Sequence, residues 1–191
     1  MKKYCLLPLL ACAFPAVSSP YVGLEVGLAT PQHNIKINDQ VDGLTLSPDS
    51  TDRFAGLWVG YAFNNNLALE LGYQKNHHYS DNDTAHGWDV ELTSKQFSLA
   101  PVYSWSLFNN RDWTIKLKAG ATYTQYQLSA NKTRNDPPFY ASKSTNELGA
   151  IGTMGLEYHL TPNVTLGCNL KYQADSYSSM SMMTFAGSYY F

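Results

Sequence analysis

The sequence predicts an all-β protein, an eight-stranded antiparallel up-and-down transmembrane β-barrel, and three observations lead to this prediction. Eight segments alternate apolar residues with small or polar ones at a period of two, which indicates strands with one oily face. The connections between them alternate between long and short, as in membrane barrels with long loops on one side. Aromatic residues collect where strands meet the short turns, as in the interfacial girdles of such barrels.

Each predicted strand places apolar side chains on one face and small, polar or charged side chains on the other. The fifth strand shows the pattern most clearly, because Trp113 and Ile115 alternate with Thr114 and Lys116. The fourth strand contains Pro101, which cannot donate a hydrogen bond to the ladder. In chain order the strands are expected at residues 21–29, 53–63, 67–77, 94–105, 113–128, 145–160, 164–174 and 180–191.

The connections assign the two ends of the barrel to the two sides of the membrane. Short turns are expected in the periplasm and long loops outside the cell, and an even strand number places both chain ends in the periplasm. The long loops cover residues 30–52, 79–89 and 129–144, the short turns cover 64–66, 108–112 and 161–163, and the last connection, 175–179, is of modest length. The predicted periplasmic girdle consists of the aromatic residues Tyr61, Phe63, Trp105, Trp113, Tyr158, Tyr189 and Phe191.

The first 18 residues have the pattern of a secretory signal peptide. Lys2 and Lys3 precede an apolar run that is too short to cross a bilayer as a helix, and small residues follow it. We expect cleavage after Ser18, so that residues 19–191 form the barrel domain. An alternative interpretation makes residues 9–12 a lipoprotein box in which Cys12 is acylated.

The charge balance and the number of cysteines bear on the possible partners and on disulfide bonds. The 13 basic and 15 acidic residues nearly balance, so the charge gives no indication of a nucleic-acid partner. Cys5 and Cys12 would leave with the signal peptide, and Cys168 would then have no intramolecular partner. No disulfide is therefore expected to support the fold, even in the oxidising periplasm.

Several charged residues share the parity opposite to the lipid-facing side chains. An eight-stranded barrel has an interior only wide enough for side chains, so we expect these charges to form a structural network of ion pairs in a filled lumen. The alternative interpretation is a narrow porin-like channel. The residues of this predicted network are Glu25, Glu70, Glu147, Glu157, Lys116, Lys118 and Lys171.

Three cations have the lipid-facing parity near the outer strand ends: Arg53, Lys75 and Lys95. A lysine or arginine at the bilayer midplane costs about 2–4 kcal/mol and much less near an interface. These side chains could extend upward to the phosphates of lipopolysaccharide in the outer leaflet. Ordinary solvated rim residues are the alternative.

Two segments resemble a known family. GLWVGYAFNNNLALELGY, from Gly56 to Tyr73, resembles the strand, short turn and strand of OmpA-like small outer-membrane β-barrels. The ending FAGSYYF is similar to the C-terminal signal that the barrel-assembly machinery reads, with Phe185, Tyr189 and Phe191 at alternate places, although Gly187 falls one residue later than the usual glycine. The resemblance implies a monomer in the Gram-negative outer membrane, in contact with its lipid and lipopolysaccharide.

An enzyme is the main rival class of function. His78, Ser80 and Glu91 resemble the histidine, serine and acid of the lipid A 3-O-deacylase family, in which histidine activates serine for attack on an ester. Counted along the chain, however, His78 and Ser80 share the lumen-facing parity of Gln74, whereas a deacylase presents its triad to the lipid. We therefore predict no enzyme activity and no catalytic residue.

A metal or cofactor site is not expected either. The loop histidines lie without a fixed ligand spacing, so we interpret them as ordinary polar loop residues. They are His33, His77, His78 and His86.

A filled lumen and an apolar lipid face leave the long loops as the place for any specific activity. Residues 131–140 combine polar side chains with Pro137, Pro138, Phe139 and Tyr140, which suits contact with another surface. We therefore expect a structural or adhesion and colonisation role toward a host-surface ligand. The two alternatives are a lipid A-modifying esterase and the narrow channel.

Overall fold

The computed structural model describes residues 19–32, 35–36, 45–46, 52–63, 66–83, 88–107, 112–132, 139–176 and 179–191. Two short strands, β2 (Ile35–Lys36) and β3 (Thr45–Leu46), form a separate two-stranded sheet. The other strands, which form the barrel, are β1 (Ser19–Gln32), β4 (Asp52–Ala62), β5 (Leu67–Asp83), β6 (Trp88–Ser106), β7 (Trp113–Lys132), β8 (Phe139–His159), β9 (Val164–Asp175) and β10 (Ser179–Tyr190).

The eight barrel strands form one closed antiparallel sheet in the order β1, β10, β9, β8, β7, β6, β5, β4. Each strand pairs with the next one along the barrel, and the seam between β1 and β10 closes the cylinder from Tyr21 opposite Tyr190 to Gln32 opposite Ser179. At the end of this seam the Phe191 backbone N–H donates to the Pro20 carbonyl oxygen at 3.1 Å. The predicted fold class is confirmed.

The two faces of the barrel follow the alternation of the sequence. On β5, Leu67, Leu69 and Leu71 are exposed on the outer face, whereas Ala68 and Glu70 are buried in the lumen. A chain whose interior is polar and whose exterior is apolar is the inverse of a water-soluble barrel, and this is the arrangement that a lipid surrounding requires. No helix that could span a membrane occurs in the part of the chain that the structure describes.

Small inward residues make room for the large ones in the lumen. A side chain at Gly60 would overlap the ring of Tyr21, and one at Gly23 would overlap the indole of Trp58. Both rings are almost completely buried. Glycine is therefore needed at these two positions because aromatic rings lie directly against the backbone.

The strands extend well beyond the predicted boundaries on the outer side. Residues 79–83 of β5 pair with 88–92 of β6, and residues 129–132 of β7 pair with 139–142 of β8. Most of the predicted loops 79–89 and 129–144 is therefore strand, and those boundaries were wrong. The apolar alternation stops where the chain leaves the lipid, but backbone pairing in a hairpin does not need an apolar face.

The register between β5 and β6 shifts by one residue between Asn76 and Tyr79. Asn76 lies opposite Ser94, but Tyr79 lies opposite Leu92, so two residues of β5 oppose one of β6. Beyond Asn76, counting alternate residues along the chain therefore no longer tells which face of the sheet a side chain is on. Parity with Gln74 thus does not show which way His78 and Ser80 face, and Ser80 lies opposite Glu91 in register.

Pro101 interrupts the ladder without changing its register. The pairs Leu99–Ala121 and Val102–Lys118 flank the interruption between β6 and β7 and keep the same alignment. On its other side Pro101 lies opposite Leu69 of β5. The missing amide hydrogen thus costs a local hydrogen bond and leaves the strand in place.

Candidate functional site

The centre of the lumen contains three ion pairs between strands. The Lys118 Nζ lies 2.6 Å from a Glu70 carboxylate oxygen, and the Lys116 Nζ lies 2.8 Å from one of Glu157. The third pair joins Lys171 of β9 to Glu25 of β1. We call these six residues the ion-pair layer: three lysines and three glutamates, with no net formal charge.

Aromatic hydroxyls connect the ion-pair layer to the periplasmic end of the lumen. The Tyr21 hydroxyl donates to the Glu70 Oε1 at 2.8 Å, and the Lys116 Nζ donates to the Tyr190 hydroxyl at 2.8 Å. The two tyrosine rings stack with centroids 4.8 Å apart, and the Lys116 ammonium lies 5.3 and 5.5 Å from their centroids. These contacts hold Lys116 in one position and close this end of the lumen with two rings.

Polar side chains complete the surroundings of the third ion pair. Lys171 also donates to the Gln74 Oε1 at 3.1 Å, and the Thr184 hydroxyl donates to the Glu25 Oε2 at 3.4 Å. The Gln74 amide in turn contacts the Met182 sulfur at 3.3 Å. Burial of a charge is tolerable when its remaining hydrogen-bonding capacity is satisfied, and this pair meets that condition.

Glu147, the seventh residue of the predicted network, lies apart from the ion-pair layer. It accepts hydrogen bonds from Thr145, at 3.3 Å, and from Ser176, and no ion pair joins it to another residue that the structure describes. Glu147 lies opposite Thr124 in register, six residues along β7 from Lys118. That separation is about 20 Å of strand, which no lysine side chain bridges.

An apolar layer covers the ion-pair layer on its outer side. Within this apolar layer, the Tyr126 hydroxyl donates to the Asp175 Oδ2 at 2.7 Å. These inward apolar residues were not predicted from the sequence, although two methionines of β10, Met180 and Met182, have the parity opposite to Met183. We call the cluster the outer apolar layer; its residues are Ala29, Phe54, Tyr126, Met180 and Met182.

The cavities within the lumen are small. Among the described residues, one cavity lined by the ion-pair layer and by Trp58 has a volume of about 30 Å³, and another, beside Gln74 and Gln96, about 10 Å³. A water molecule needs roughly 10–15 Å³ of such space, so the first cavity holds about two or three waters at most and the second about one. Together with the apolar layer above them, they make a filled lumen.

Two aromatic belts mark the lipid-facing band on the outside. The inner belt contains the pairs Trp113–Tyr158, with ring centroids 4.9 Å apart, and Tyr189–Phe191, 5.1 Å apart. Phe185, Tyr189 and Phe191 are all exposed on the outer face of the last strand. The outer belt consists of Tyr73, Phe97 and Tyr123, which lie side by side in register, with Tyr73 and Phe97 5.1 Å apart.

The three basic residues predicted to face the lipid lie at the outer edge of this band. Arg53, Lys75 and Lys95 are exposed, and Lys75 lies directly opposite Lys95 in the pairing of β5 with β6. Both lysines are two residues beyond the outer belt. Arg53 and Lys75 border a groove of about 460 Å³, the rim groove, whose other walls include Val26, Leu28, Ala55 and Phe185.

The structure describes little of the four loop histidines. His33 and His86 lie outside the described residues, and for His77 and His78 the backbone alone is described. Within the described part of the chain no three histidine, cysteine, aspartate or glutamate side chains are grouped to hold a metal. The predicted signal peptide, residues 1–18, also lies outside the described residues.

Comparison with known proteins identifies the family. A family model for an outer membrane protein beta-barrel domain matches residues 5–188. An uncharacterised protein of Haemophilus influenzae is 27% identical over 173 residues, 90% of this chain and 89% of that protein. Among solved structures, Ail, the attachment invasion locus protein of Yersinia pestis, is similar with a TM-score of 0.55 and 17% identity, covering 91% of this chain and 97% of that chain.

Neisserial surface protein A is similar with a TM-score of 0.57 and 16% identity, covering 91% of this chain and 99% of that chain. At these identities both solved structures show a shared fold. The family model, in contrast, spans almost the whole chain. The chain therefore belongs to the outer membrane protein β-barrel domain family and is a protein of the Gram-negative outer membrane.

Proposed function

We propose that the protein is a structural surface protein with an adhesion or colonisation role, and that the outer ends of β5 to β8 form its contact surface. The observation that carries this proposal is strand length. β6, β7 and β8 contain 19, 20 and 21 residues. A transmembrane strand needs only about 9–11.

The extra length lies on the outer side of the membrane. Among the side chains of β6, β7 and β8 that the structure describes, the outermost large apolar residues on the outer face are Phe97, Tyr123 and Leu148, which lie opposite one another in register. β7 continues for nine residues beyond Tyr123, about 30 Å of strand and roughly 20 Å of height at a tilt near 45°. We call the paired residues 79–83, 88–96, 124–132 and 139–147 the projecting sheet.

A paired sheet well above the headgroups can reach a partner that the bilayer itself keeps away. The tip sequence around residues 131–140 contains Phe139, Tyr140 and two prolines among polar residues, a composition suited to contact with another surface. The size and loop pattern of the sequence also resemble accessory colonisation factor A, a member of this superfamily, which favours a colonisation role.

The test is to shorten the projecting sheet without touching the barrel. One variant replaces residues 129–142 by Asn-Gly, which keeps the pair Leu128–Lys143 and supplies a two-residue hairpin turn. A second replaces residues 80–91 in the same way and keeps the pair Tyr79–Leu92. Attachment of expressing cells to host cell surfaces and to heparin-coated surfaces is then measured. Heparin is a suitable probe because Ail was solved with the heparin analogue sucrose octasulfate.

We expect both shortened variants to lose most of the attachment that the full-length protein confers. A matched control keeps the hairpin length but replaces residues 129–142 by serine and threonine. It separates the effect of hairpin length on attachment from the effect of the side chains. Equal amounts of folded barrel at the surface, judged by heat-modifiable migration in gels, are required for the comparison. Unchanged attachment in both shortened variants would contradict the proposal.

Catalysis on lipid A is the second candidate, because Ser80 lies opposite Glu91 in register and beside the register shift that contains His78. Expression of the protein in a host with defined lipid A, followed by mass spectrometry, separates the two functions. We expect an unchanged lipid A mass. A loss of one acyl chain that disappears in Ser80→Ala would assign the esterase function instead.

A further inference from the structure

The outer rim carries positive charge at the level where the lipid headgroups lie. Lys75 follows Tyr73 by two residues on β5, and Lys95 precedes Phe97 by two residues on β6. The two aromatic rings belong to the outer belt, and aromatic belts mark the boundary between hydrocarbon and headgroups. The two ammonium groups are therefore at headgroup height, on the side from which the projecting sheet extends.

Lys75 and Lys95 form an unfavourable pair within the protein itself. They lie directly opposite each other on the exposed face, where neighbouring side chains of adjacent strands are roughly 5 Å apart at Cβ. Like charges in this position destabilise a sheet. Neither lysine contacts an acidic side chain in the part of the chain that the structure describes, so an anion from outside the protein would remove the repulsion.

An apolar groove begins beside these cations and runs toward the hydrocarbon. Arg53 and Lys75 stand at its border, and Ala55, a small residue between larger ones, forms part of its floor. Its volume of about 460 Å³ lies within the range of roughly 300–1,000 Å³ of pockets that bind organic ligands. A groove of this shape on a lipid-facing surface accommodates a hydrocarbon chain.

We propose that this rim binds one phosphorylated, acylated glycolipid of the lipid A type. A phosphate bridges Lys75 and Lys95, Arg53 contacts a second anionic group, and one acyl chain lies in the rim groove over Ala55. Three cations spread over β4, β5 and β6 suit a headgroup with more than one phosphate better than a phospholipid with a single one. The proposal depends on the membrane orientation of the barrel and is independent of adhesion.

Binding is tested with the purified full-length protein in detergent, by native mass spectrometry and by titration. The probes are lipid A, dephosphorylated lipid A, phosphatidylglycerol of matched chain length and inorganic phosphate. The double variant Lys75→Gln, Lys95→Gln removes the charges, and Ala55→Phe fills the groove. The matched controls are Gln125→Ala, which lies opposite Lys95 but is uncharged, and Ala150→Phe, which adds a ring to the lipid-facing surface of β8.

We expect the wild-type protein to bind lipid A more tightly than the other three probes. The double lysine variant should lose about tenfold or more in affinity for lipid A, since each hydrogen bond to a charged group contributes on that order. Ala55→Phe should lose severalfold, and both controls should stay within about twofold of wild type.

Three results would overturn the proposal. The phosphate bridge is wrong if the double lysine variant binds lipid A as tightly as wild type. The groove assignment is wrong if Ala55→Phe has unchanged affinity. The choice of glycolipid is wrong if phosphatidylglycerol binds equally well, or if inorganic phosphate displaces lipid A at equal concentration.

Discussion

Lys118 on β7 and Glu70 on β5 form an ion pair across the lumen, with 2.6 Å between the ammonium nitrogen and the carboxylate oxygen. Tyr21 donates a second hydrogen bond to the same carboxylate. The pair thus joins two strands that flank β6 and are not neighbours in the sheet, so side-chain ion pairs hold the barrel together in addition to the backbone ladder around its circumference.

Removal of the lysine alone should be costly. Lys118→Met leaves Glu70 buried without its cation, and we expect the free energy of unfolding to fall by about 3–5 kcal/mol. Urea unfolding of the refolded protein in detergent or vesicles, followed by tryptophan fluorescence, measures this. The double variant Lys118→Met, Glu70→Gln removes both charges, keeps an acceptor for Tyr21 and should recover most of the loss. A single variant as stable as wild type would show that the ion pair contributes nothing.

The contact between Gly60 and Tyr21 predicts a second stability difference. Gly60→Ala places a methyl group within the volume of the Tyr21 ring and should destabilise the barrel by about 1–3 kcal/mol through overpacking. Gly152→Ala is the matched control, because no atom lies within 4 Å of its added Cβ. We expect the control to change stability by less than about 0.5 kcal/mol. Equal effects of the two substitutions in urea unfolding would contradict this packing argument.

The filled lumen predicts that the protein does not conduct ions. In planar bilayers the wild-type protein should show no conductance steps, since the outer apolar layer and the ion-pair layer leave room only for isolated waters. Conductance steps that disappear in Lys118→Glu would show instead that the lumen opens. The narrow-channel alternative would then replace the structural interpretation.

Cys168 provides a chemical test of the lipid-facing surface. Its side chain is exposed on the outer face, opposite Phe185 and Leu156 in register. In vesicles we expect slow reaction with a charged maleimide and fast reaction with an apolar one. Ser176→Cys on a Cys168→Ser background is the comparison, because Ser176 is exposed beyond the end of β9, where water reaches it. Rapid labelling of Cys168 by the charged reagent would mean that this face is not in lipid.

The sequence predicts the faces of the strands better than their ends. Leu67, Leu69 and Leu71 can be assigned to the lipid because a strand repeats every two residues and a bilayer requires an apolar exterior. Beyond Asn76 that reasoning loses its basis, because a strand that has left the lipid no longer needs an apolar outer face. A one-residue register shift there leaves no mark in the hydrophobic pattern.

The partners within the lumen were beyond sequence reasoning for a different reason. Parity shows that Lys116, Lys118 and Glu147 point inward, but the stagger of the strands decides which inward residues meet. Glu147 and Lys118 have the same parity and lie far apart, whereas Lys118 and Glu70 come from non-adjacent strands and touch. For the proposed glycolipid site, parity and strand position indicate the three cations, but the groove beside Arg53 and Lys75 depends on the pairing of strands that lie far apart in the sequence.

The seam between β1 and β10 has a consequence for how the molecule is made. Every other backbone pairing in the barrel joins barrel strands that follow each other along the chain, but this seam aligns Tyr21 with Tyr190, near the two ends of the described chain. Until the two strands meet, each has a row of amide and carbonyl groups with no partner, which hydrocarbon does not tolerate. Insertion and circular closure must therefore proceed together, and the slow step of biogenesis is expected where β1 meets β10.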